Sequence, residues 1–170
     1  MITMGDAHRK IIVIGSPGAG KSTFSRKLRD LSGLPLFYLD MIWHKPDKTN
    51  VSQEEFDRRL IEILQKDEWI IDGNYLRCMP LRIEYCDLIY FFDLPMEECI
   101  AGALDRIGTK REDMPWVEEE ADEEFMEYIR NFPNIQLPKI YELIDHSDKE
   151  LIIFKSREDA DEYLRNYENR

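Results

Sequence analysis

The chain has 170 residues, enough for one buried core, and a net charge of −12. A surface of this sign repels the phosphates of nucleic acids, which disfavours direct DNA binding, and the length favours a single domain over residues 1–170. Its apolar runs are far shorter than the roughly 20 residues that cross a bilayer, which argues against a membrane protein.

The N-terminal residues and the cysteines both favour a cytoplasmic protein. Residues 1–9 have no apolar stretch of the kind found in secretory signal peptides, and we expect a loose leader there. The three cysteines, Cys78, Cys86 and Cys99, are odd in number and lack the close paired spacing of a zinc site. We therefore expect reduced thiols with a structural role.

The strongest functional pattern follows the first predicted strand. An apolar run, Ile11 to Ile14, ends at Gly15, and the spacing from Gly15 through Gly20 to Lys21 and Ser22 matches GxxxxGK[ST]. Glycines allow positive φ, so that successive amides surround a phosphate at the start of the next helix. Lys21 would neutralise the β- and γ-phosphates of ATP, and Ser22 would ligate Mg²⁺. The predicted nucleotide-binding residues are Gly15, Ser16, Pro17, Gly18, Ala19, Gly20, Lys21, Ser22 and Thr23.

The next helix and strand lead to a first acidic candidate. The helix runs from Lys21 to about Leu31 and is closed by Gly33 as its C-terminal cap. A short strand, Leu36 to Leu39, then delivers Asp40 at its carboxyl end, the edge where open parallel sheets bind ligands. Asp40 would hold substrate or magnesium there; the alternative is a simple turn or helix cap.

Residues 40–66 form a candidate acceptor-side segment. Trp43 lies in a stretch without periodicity, where it either stacks on a substrate or folds the loop onto the core; His44, next to it, is the one histidine with a functional case. A helix then begins with a capping box formed by Ser52 and Glu55.

A third strand, Glu68 to Gly73, ends in a second acid, Asp72, followed by a loop that contains Tyr75, Arg77 and Arg82. An acid at this strand end suits magnesium binding or the orientation of an attacking hydroxyl, and the arginines suit an anionic acceptor. The predicted substrate-binding residues are Asp40, Trp43, Asp72, Gly73, Tyr75, Arg77 and Arg82, and the predicted metal-binding residues are Ser22 and Asp72.

After a fourth strand, Asp87 to Asp93, an amphipathic helix leads into a basic cluster. Residues 106–116 contain Arg106 and Arg111 on either side of Gly108, a candidate hinge. Arginines on such a lid would close over a transferring phosphoryl group and exclude water. The alternative is an ordinary solvated helix end with favourable cations.

The C-terminal part continues the alternation of helices and strands. A long helix spans Val117 to Phe132 and is expected to stop at Pro133, and a shorter one covers Pro138 to about Asp145. The fifth strand is Glu150 to Phe154, and Ser156 caps the last helix. Five strands alternating with helices predict a three-layer α/β fold.

Several stretches together carry a family resemblance. GSPGAGKST, LDMIWHKP, WIIDGNY and FFDLP, followed by a helix and RED, resemble the small P-loop kinases of the adenylate kinase type. The chain is most similar to the DNA topology modulation proteins (the FlaR-like family), which themselves resemble shikimate and adenylate kinases. The resemblance runs from about Lys10 to Arg165.

The resemblance implies a parallel sheet in the order 2-3-1-4-5, ATP on the phosphate loop, and a lid before the long acidic helix. It also assigns roles: Asp72 matches the DG of the magnesium-organising segment, Arg77 or Arg82 matches the arginine that holds the acceptor, and Arg111 with Asp113 matches the R-x-D of the lid.

The sequence also departs from the family pattern. The family commonly has an arginine near the nucleotide base where this chain has Gly102, and Arg106 is the nearest substitute. The arginine-rich tract usual after the long helix is reduced here to Arg130 and Lys139.

We therefore expect a phosphotransferase that moves the γ-phosphoryl group of ATP to a small acceptor, either a nucleotide or a hydroxyl metabolite. The expected catalytic residues are Lys21, Asp40, Asp72, Arg106 and Arg111. The alternative is an ATP-binding regulator with little catalysis that acts indirectly on DNA topology. A GTPase is disfavoured because no NKxD is present, and a monomer and a homodimer stay equally open.

Overall fold

The computed structural model describes residues 8–168, so most of the expected leader lies outside the described residues. One parallel sheet organises the chain, in the order β2-β3-β1-β4-β5, which confirms the predicted topology. Its strands are β1 (Lys10–Gly15), β2 (Leu36–Tyr38), β3 (Trp69–Asp72), β4 (Leu88–Phe92) and β5 (Glu150–Phe154).

Helices cover both faces of the sheet. They are α1 (Lys21–Ser32), α2 (Leu39–Trp43), α3 (Gln53–Leu64), α4 (Met79–Tyr85), α5 (Met96–Asp105), α6 (Glu123–Asp145) and α7 (Arg157–Glu168), with a 3₁₀ turn (Leu76–Cys78) before α4. Within residues 8–168, no helix combines the length and the apolar character needed to cross a membrane.

Alternating side chains of β1 divide the core into two halves. Ile11 and Val13 pack with residues of α1, α5 and α7, whereas Ile12 and Ile14 pack with residues of α3 and α4 on the opposite face. Both faces are buried, as is usual for a parallel sheet. The three-layer α/β prediction is therefore confirmed, and the carboxyl ends of the strands remain as the edge open to a ligand.

Local capping fixes the ends of two helices as predicted. Gly33 takes a left-handed conformation with φ of 78° and donates its amide to the carbonyl of Arg29 at 2.8 Å, which ends α1. Ser52 accepts the amide of Glu55 at 3.1 Å, which starts α3. The carboxylate of Glu55 pairs with Arg58 and does not accept the amide of Ser52, so only one of the two hydrogen bonds of the predicted capping box forms.

The expected stop at Pro133 is wrong. One continuous helix, α6, starts after Asp122, later than the predicted Val117, and contains both Pro133 and Pro138. A proline inside a helix costs about 3 kcal/mol, whereas full burial of one large apolar side chain stabilises by about 1.5–3 kcal/mol. Burial on both sides of the prolines therefore outweighs their cost. The buried residues of α6 are Met126, Ile129, Phe132, Ile140 and Ile144.

Candidate functional site

The loop between β1 and α1 crosses the carboxyl edge of the sheet, and several of its amides have no hydrogen-bond partner within residues 8–168. Gly18 and Gly20 have φ of 79° and 98°. Among the described residues, no protein group accepts a hydrogen bond from the amides of Gly18, Ala19 or Gly20. The first amides of α1 also lack partners within the helix, so the loop offers a run of donors to an anion.

Ser16 differs from the rest of the predicted nucleotide-binding run. Its amide donates to the carbonyl of Phe92 at 2.8 Å, so this donor serves the contact between the loop and β4. The amides available to an anion are therefore those that follow Ser16 in the loop.

Lys21, Ser22 and Asp72 meet at the base of the loop. The ammonium of Lys21 donates to the carbonyl of Ser16 at 2.8 Å, and the hydroxyl of Ser22 donates to Asp72 at 2.6 Å. Burial lowers the pKa of Lys21, while the carboxylate of Asp72 opposes that change. Burial raises the pKa of Asp72 to about 6, against the opposing effects of Lys21 and Ser22. Lys21 and Asp72 thus each favour the charged form of the other.

Asn74 joins the loop after β3 to the phosphate loop. Its side-chain oxygen accepts the amide of Gly15 at 2.9 Å, and its side-chain nitrogen donates to the carbonyl of Gly15 at 2.7 Å. The sequence analysis gave Asn74 no role. A side chain with both a donor and an acceptor, placed directly after the strand that ends in Asp72, was the available signal.

Arg82 and Arg77, the two alternatives for holding an acceptor, both have partners within the protein. Arg82 is fully buried and donates to the carbonyls of Gly73 at 2.8 Å and of Asn74, so it holds the loop after β3. Arg77 is exposed and pairs with Asp57 on α3 at 2.6 Å. Neither guanidinium lines the cleft described next.

A cleft of about 640 Å³ opens on one side of the phosphate loop. Asp40, in the first turn of α2, lines it and accepts the hydroxyl of Tyr75 at 2.6 Å. Burial and the charge of Asp40 raise the pKa of Tyr75, so that hydroxyl stays protonated and fixes the carboxylate. Representative lining residues are Lys21, Asp40, Asp72, Tyr75, Arg111 and Tyr128.

Trp43 was considered either for stacking on a substrate or for folding its loop onto the core. Trp43 packs edge-on against Phe56, with ring centroids 5.8 Å apart, and does not line the cleft. Trp116 lines the cleft and packs edge-on against His44 at 5.0 Å. The sequence analysis missed Trp116, which stands just past the Arg111-x-Asp113 pattern.

A second cavity of about 300 Å³ lies against the phosphate loop and shares Lys21 and Ser22 with the cleft. Its lining includes Lys21, Ser22, Arg26, Gly102, Thr109 and Arg157. The two cavities therefore adjoin at the phosphate loop, and a group in either one can reach Lys21.

Three arginines that line the second cavity have hydrogen-bond donors without partners in the described part of the chain. They are Arg26, Arg106 and Arg111. Each has one buried guanidinium nitrogen without a hydrogen-bond partner among the described residues. Asp113, only 4% exposed, lies between Arg26 at 4.0 Å and Arg111 at 3.9 Å. Burial and the neighbouring Arg111 lower the pKa of Arg106. Glu118 also lies 3.6 Å from Arg111, so two carboxylates face three guanidinium groups and leave positive charge available for an anion.

Several solved structures share this architecture. The shikimate kinase of Bacteroides thetaiotaomicron gives a TM-score of 0.59 at 17% identity, covering 95% of this chain and 97% of its own. That of Aquifex aeolicus gives 0.54 at 16%, covering 92% of both chains, and that of Acinetobacter baumannii, in complex with shikimate, gives 0.57 at 17%, covering 93% and 92%. The chain has the fold of the shikimate kinases. No protein-family model and no curated protein matches the sequence, so the resemblance to DNA topology modulation proteins stays a prediction.

Within this P-loop kinase fold, Gly102 allows α5 to lie directly on the phosphate loop. A Cβ atom at Gly102 would lie 2.1 Å from the carbonyl oxygen of Gly18 and 2.4 Å from the guanidinium of Arg157. Arg157 uses that space to donate to the carbonyls of Gly18 at 2.8 Å and Glu98 at 3.0 Å. An arginine at position 102 would be excluded by the same contacts.

Gly102→Ala should therefore displace the phosphate loop. Overpacking of this kind costs about 1–3 kcal/mol. We expect affinity for a fluorescent ATP analogue to fall by at least about fivefold, since 1 kcal/mol corresponds to that factor. Ala101→Ser, at the exposed neighbouring position on α5, is the matched control and should bind normally. Unchanged nucleotide affinity in Gly102→Ala would contradict the tight packing of α5 on the loop.

Proposed function

We propose that this chain is an ATP-dependent kinase that transfers the γ-phosphoryl group of ATP to a hydroxyl group of a small acceptor. The observation that carries the proposal is that Lys21 and Gly18, whose amide is unpaired within the described part of the chain, belong to the lining of two adjoining cavities. The smaller one, lined by Gly20 and Thr23 of the phosphate loop, would hold the nucleotide, and the larger one, lined by Asp40, would hold the acceptor. The two substrates would then meet at Lys21.

The nucleotide phosphates would be held by main-chain amides and by three cations. The amides from Gly18 to Thr23 would surround the phosphates, and Lys21 would move from the carbonyl of Ser16 to the phosphate oxygens. The unused donors of Arg106 and Arg111 belong to residues that line both cavities. Groups fixed in advance around the developing charge stabilise the transition state of phosphoryl transfer.

Ser22 and Asp72 fit a magnesium ion. Their oxygens are 2.6 Å apart, and hydroxyl and carboxylate oxygens are the ligands this ion prefers. Within residues 8–168, no group of three or more His, Cys, Asp or Glu side chains could hold a metal alone, which suits an ion bound mainly by ATP. Bound there, Mg²⁺ would neutralise phosphate charge.

Asp40 would orient the acceptor hydroxyl. Its carboxylate lines the cleft, and the Tyr75 hydroxyl restrains it at 2.6 Å, which leaves other lone pairs for the acceptor. The acceptor oxygen would form a bond to the γ-phosphorus while the bond to the β–γ bridging oxygen breaks. ADP leaves with that electron pair, and the acceptor proton passes to Asp40.

Residues 106–116 would act as the lid in its closed position. Glu112 accepts two hydrogen bonds from Arg29 on α1, at 2.9 and 3.0 Å, and Trp116 packs on His44 of the acceptor-side segment. These contacts bridge the two sides of the cleft. Closure of this kind excludes water, which would otherwise compete with the acceptor for the phosphoryl group.

The test is release of ADP from Mg-ATP across a library of small hydroxyl compounds and nucleoside monophosphates. We expect at least one acceptor to accelerate ADP release well above the rate with ATP alone, and the phosphorylated acceptor to be detected by mass spectrometry. Slow ADP release that no acceptor changes would contradict the proposal and favour a nucleotide-binding regulator.

Asp40→Asn refines the same experiment. Loss of a positioned base typically reduces the rate by about 10²–10⁴-fold, so we expect kcat to fall by at least about 10²-fold with little change in ATP affinity. Asp47→Asn is the matched control because Asp47 is exposed and bonded to Thr49. Full activity of Asp40→Asn would refute the role of this carboxylate.

A further inference from the structure

We infer that the acceptor carries a positive charge, and that it is an amino alcohol or amino sugar whose hydroxyl group is phosphorylated. This inference rests on the proposed function and adds the chemical class of the second substrate. Three features of the cleft carry it: the partners of its arginines, its carboxylates and its aromatic rings.

Guanidinium groups that could bind an acidic acceptor are engaged elsewhere. Arg82 is buried against main-chain carbonyls, and Arg77 is paired with Asp57 outside the cleft. Arg106 and Arg111 line both cavities and are needed for the transferring phosphates. An acceptor carboxylate or phosphate would thus lack the bidentate partner that such groups usually find in proteins.

The cations confined to the acceptor side of the cleft are few and loosely placed. Lys48 is exposed on a turn and has φ of 68°. His44 lies 4.0 Å from Asp40, with its ring packed against Trp116. Neither side chain forms part of a pair that could clamp an anion.

Carboxylates dominate the same part of the cleft. Asp40 lines it from α2, and the segment before α6 adds a run of acids at the rim. An anionic acceptor would be repelled by this field, whereas an ammonium group would be attracted and oriented. Of the acids that line only this cleft, Asp72 is bonded to Ser22 and Glu118 lies 3.6 Å from Arg111. The others are Asp40, Glu119, Glu120 and Asp122.

Aromatic rings stand between these acids. Tyr75, Trp116 and Tyr128 line the cleft, and the Phe125 ring already has the guanidinium of Arg106 5.7 Å from its centroid. Ring faces attract cations by about 0.5–2 kcal/mol, depending on how dry the contact is. Rings combined with carboxylates are a chemical environment suited to an ammonium group.

The experiment uses two sets of probes that differ in charge and share a hydroxyl. One set is ethanolamine, ethylene glycol and glycolate; the other is glucosamine, glucose and glucuronate, with shikimate and AMP as further anions. With Mg-ATP, we expect kcat/KM for ADP release to be at least about tenfold higher for an amine than for its matched acid, and to decline with salt. Equal or greater stimulation by the anions would overturn the inference and leave the kinase proposal intact.

A charge variant tests whether the rim acids set the preference. Glu119→Gln with Glu120→Gln should reduce the ratio of amine to acid by at least about threefold. Glu158→Gln with Glu162→Gln removes the same charge from the exposed face of α7 and should keep the ratio. Identical ratios in both double variants would contradict a role for the rim.

A binding measurement distinguishes failure of this inference from failure of the proposed function. Calorimetry in the presence of a non-hydrolysable ATP analogue should detect the amines and not the acids. Binding of amines without phosphoryl transfer would keep the charge assignment and refute the kinase proposal. Failure of every amine to bind would overturn the inference.

Discussion

Replacement of Lys21 by alanine is expected to reduce acceptor-dependent ADP release by about 10²–10³-fold or more. Loss of a single fixed donor in an oxyanion site has effects of this size, and Lys21 would supply a full charge in addition. Its ammonium lies 2.8 Å from the carbonyl of Ser16 at the boundary of both cavities.

The fold should survive this substitution. Burial lowers the pKa of Lys21, which means that its environment already disfavours the charged form. Removal of the ammonium also takes away the positive charge that opposes the desolvation of buried Asp72. We therefore expect a cooperative urea transition with the free energy of unfolding lowered by about 1–3 kcal/mol. Lys27→Ala is the control, since Lys27 lies on the exposed face of α1 with Asp161 at 3.7 Å. Unreduced turnover in Lys21→Ala would refute the assignment of the site.

Local sequence patterns predicted the parts of the fold that depend on near neighbours. The strand, glycine loop and helix around Lys21 form one contiguous stretch, and the caps at Gly33 and Ser52 involve residues only three or four positions apart. The stop at Pro133 failed because its outcome depends on burial of α6 against the sheet, an energy that no local pattern contains.

In the candidate site, too, some residues were predicted correctly from local patterns and others were not. Ser22 and Asp72 were predicted separately as metal-binding residues, one from the phosphate-loop motif and one from its place at a strand end. Their oxygens lie 2.6 Å apart because β1 and β3 are adjacent and end at the same edge of the sheet. The direction in which a long side chain points cannot be predicted from the helix or strand that carries it. Arg82 lies on α4, where its guanidinium reaches the carbonyls of the preceding loop, and the sequence pattern assigned it to an acceptor.

The contrast between Arg82 and Arg77 yields the largest expected effect on stability. Arg82→Met should lower the free energy of unfolding by about 3–5 kcal/mol, because buried carbonyls of Gly73 and Asn74 lose a charged donor and methionine offers none. The cost of burying a guanidinium, which this substitution removes, offsets part of that loss and keeps it within the stated range. In a chain of this length, the melting temperature should fall by roughly 10 °C.

Arg77→Met is the matched control. Its exposed pair with Asp57 is of a kind that contributes about 0–1 kcal/mol, so urea and thermal unfolding should change little. If Arg82→Met instead kept parental stability and raised only the KM of the acceptor, its guanidinium would be an acceptor ligand after all. The absence of anion-binding arginines from the acceptor side would then no longer hold, and the preference for a cationic acceptor would lose its first support.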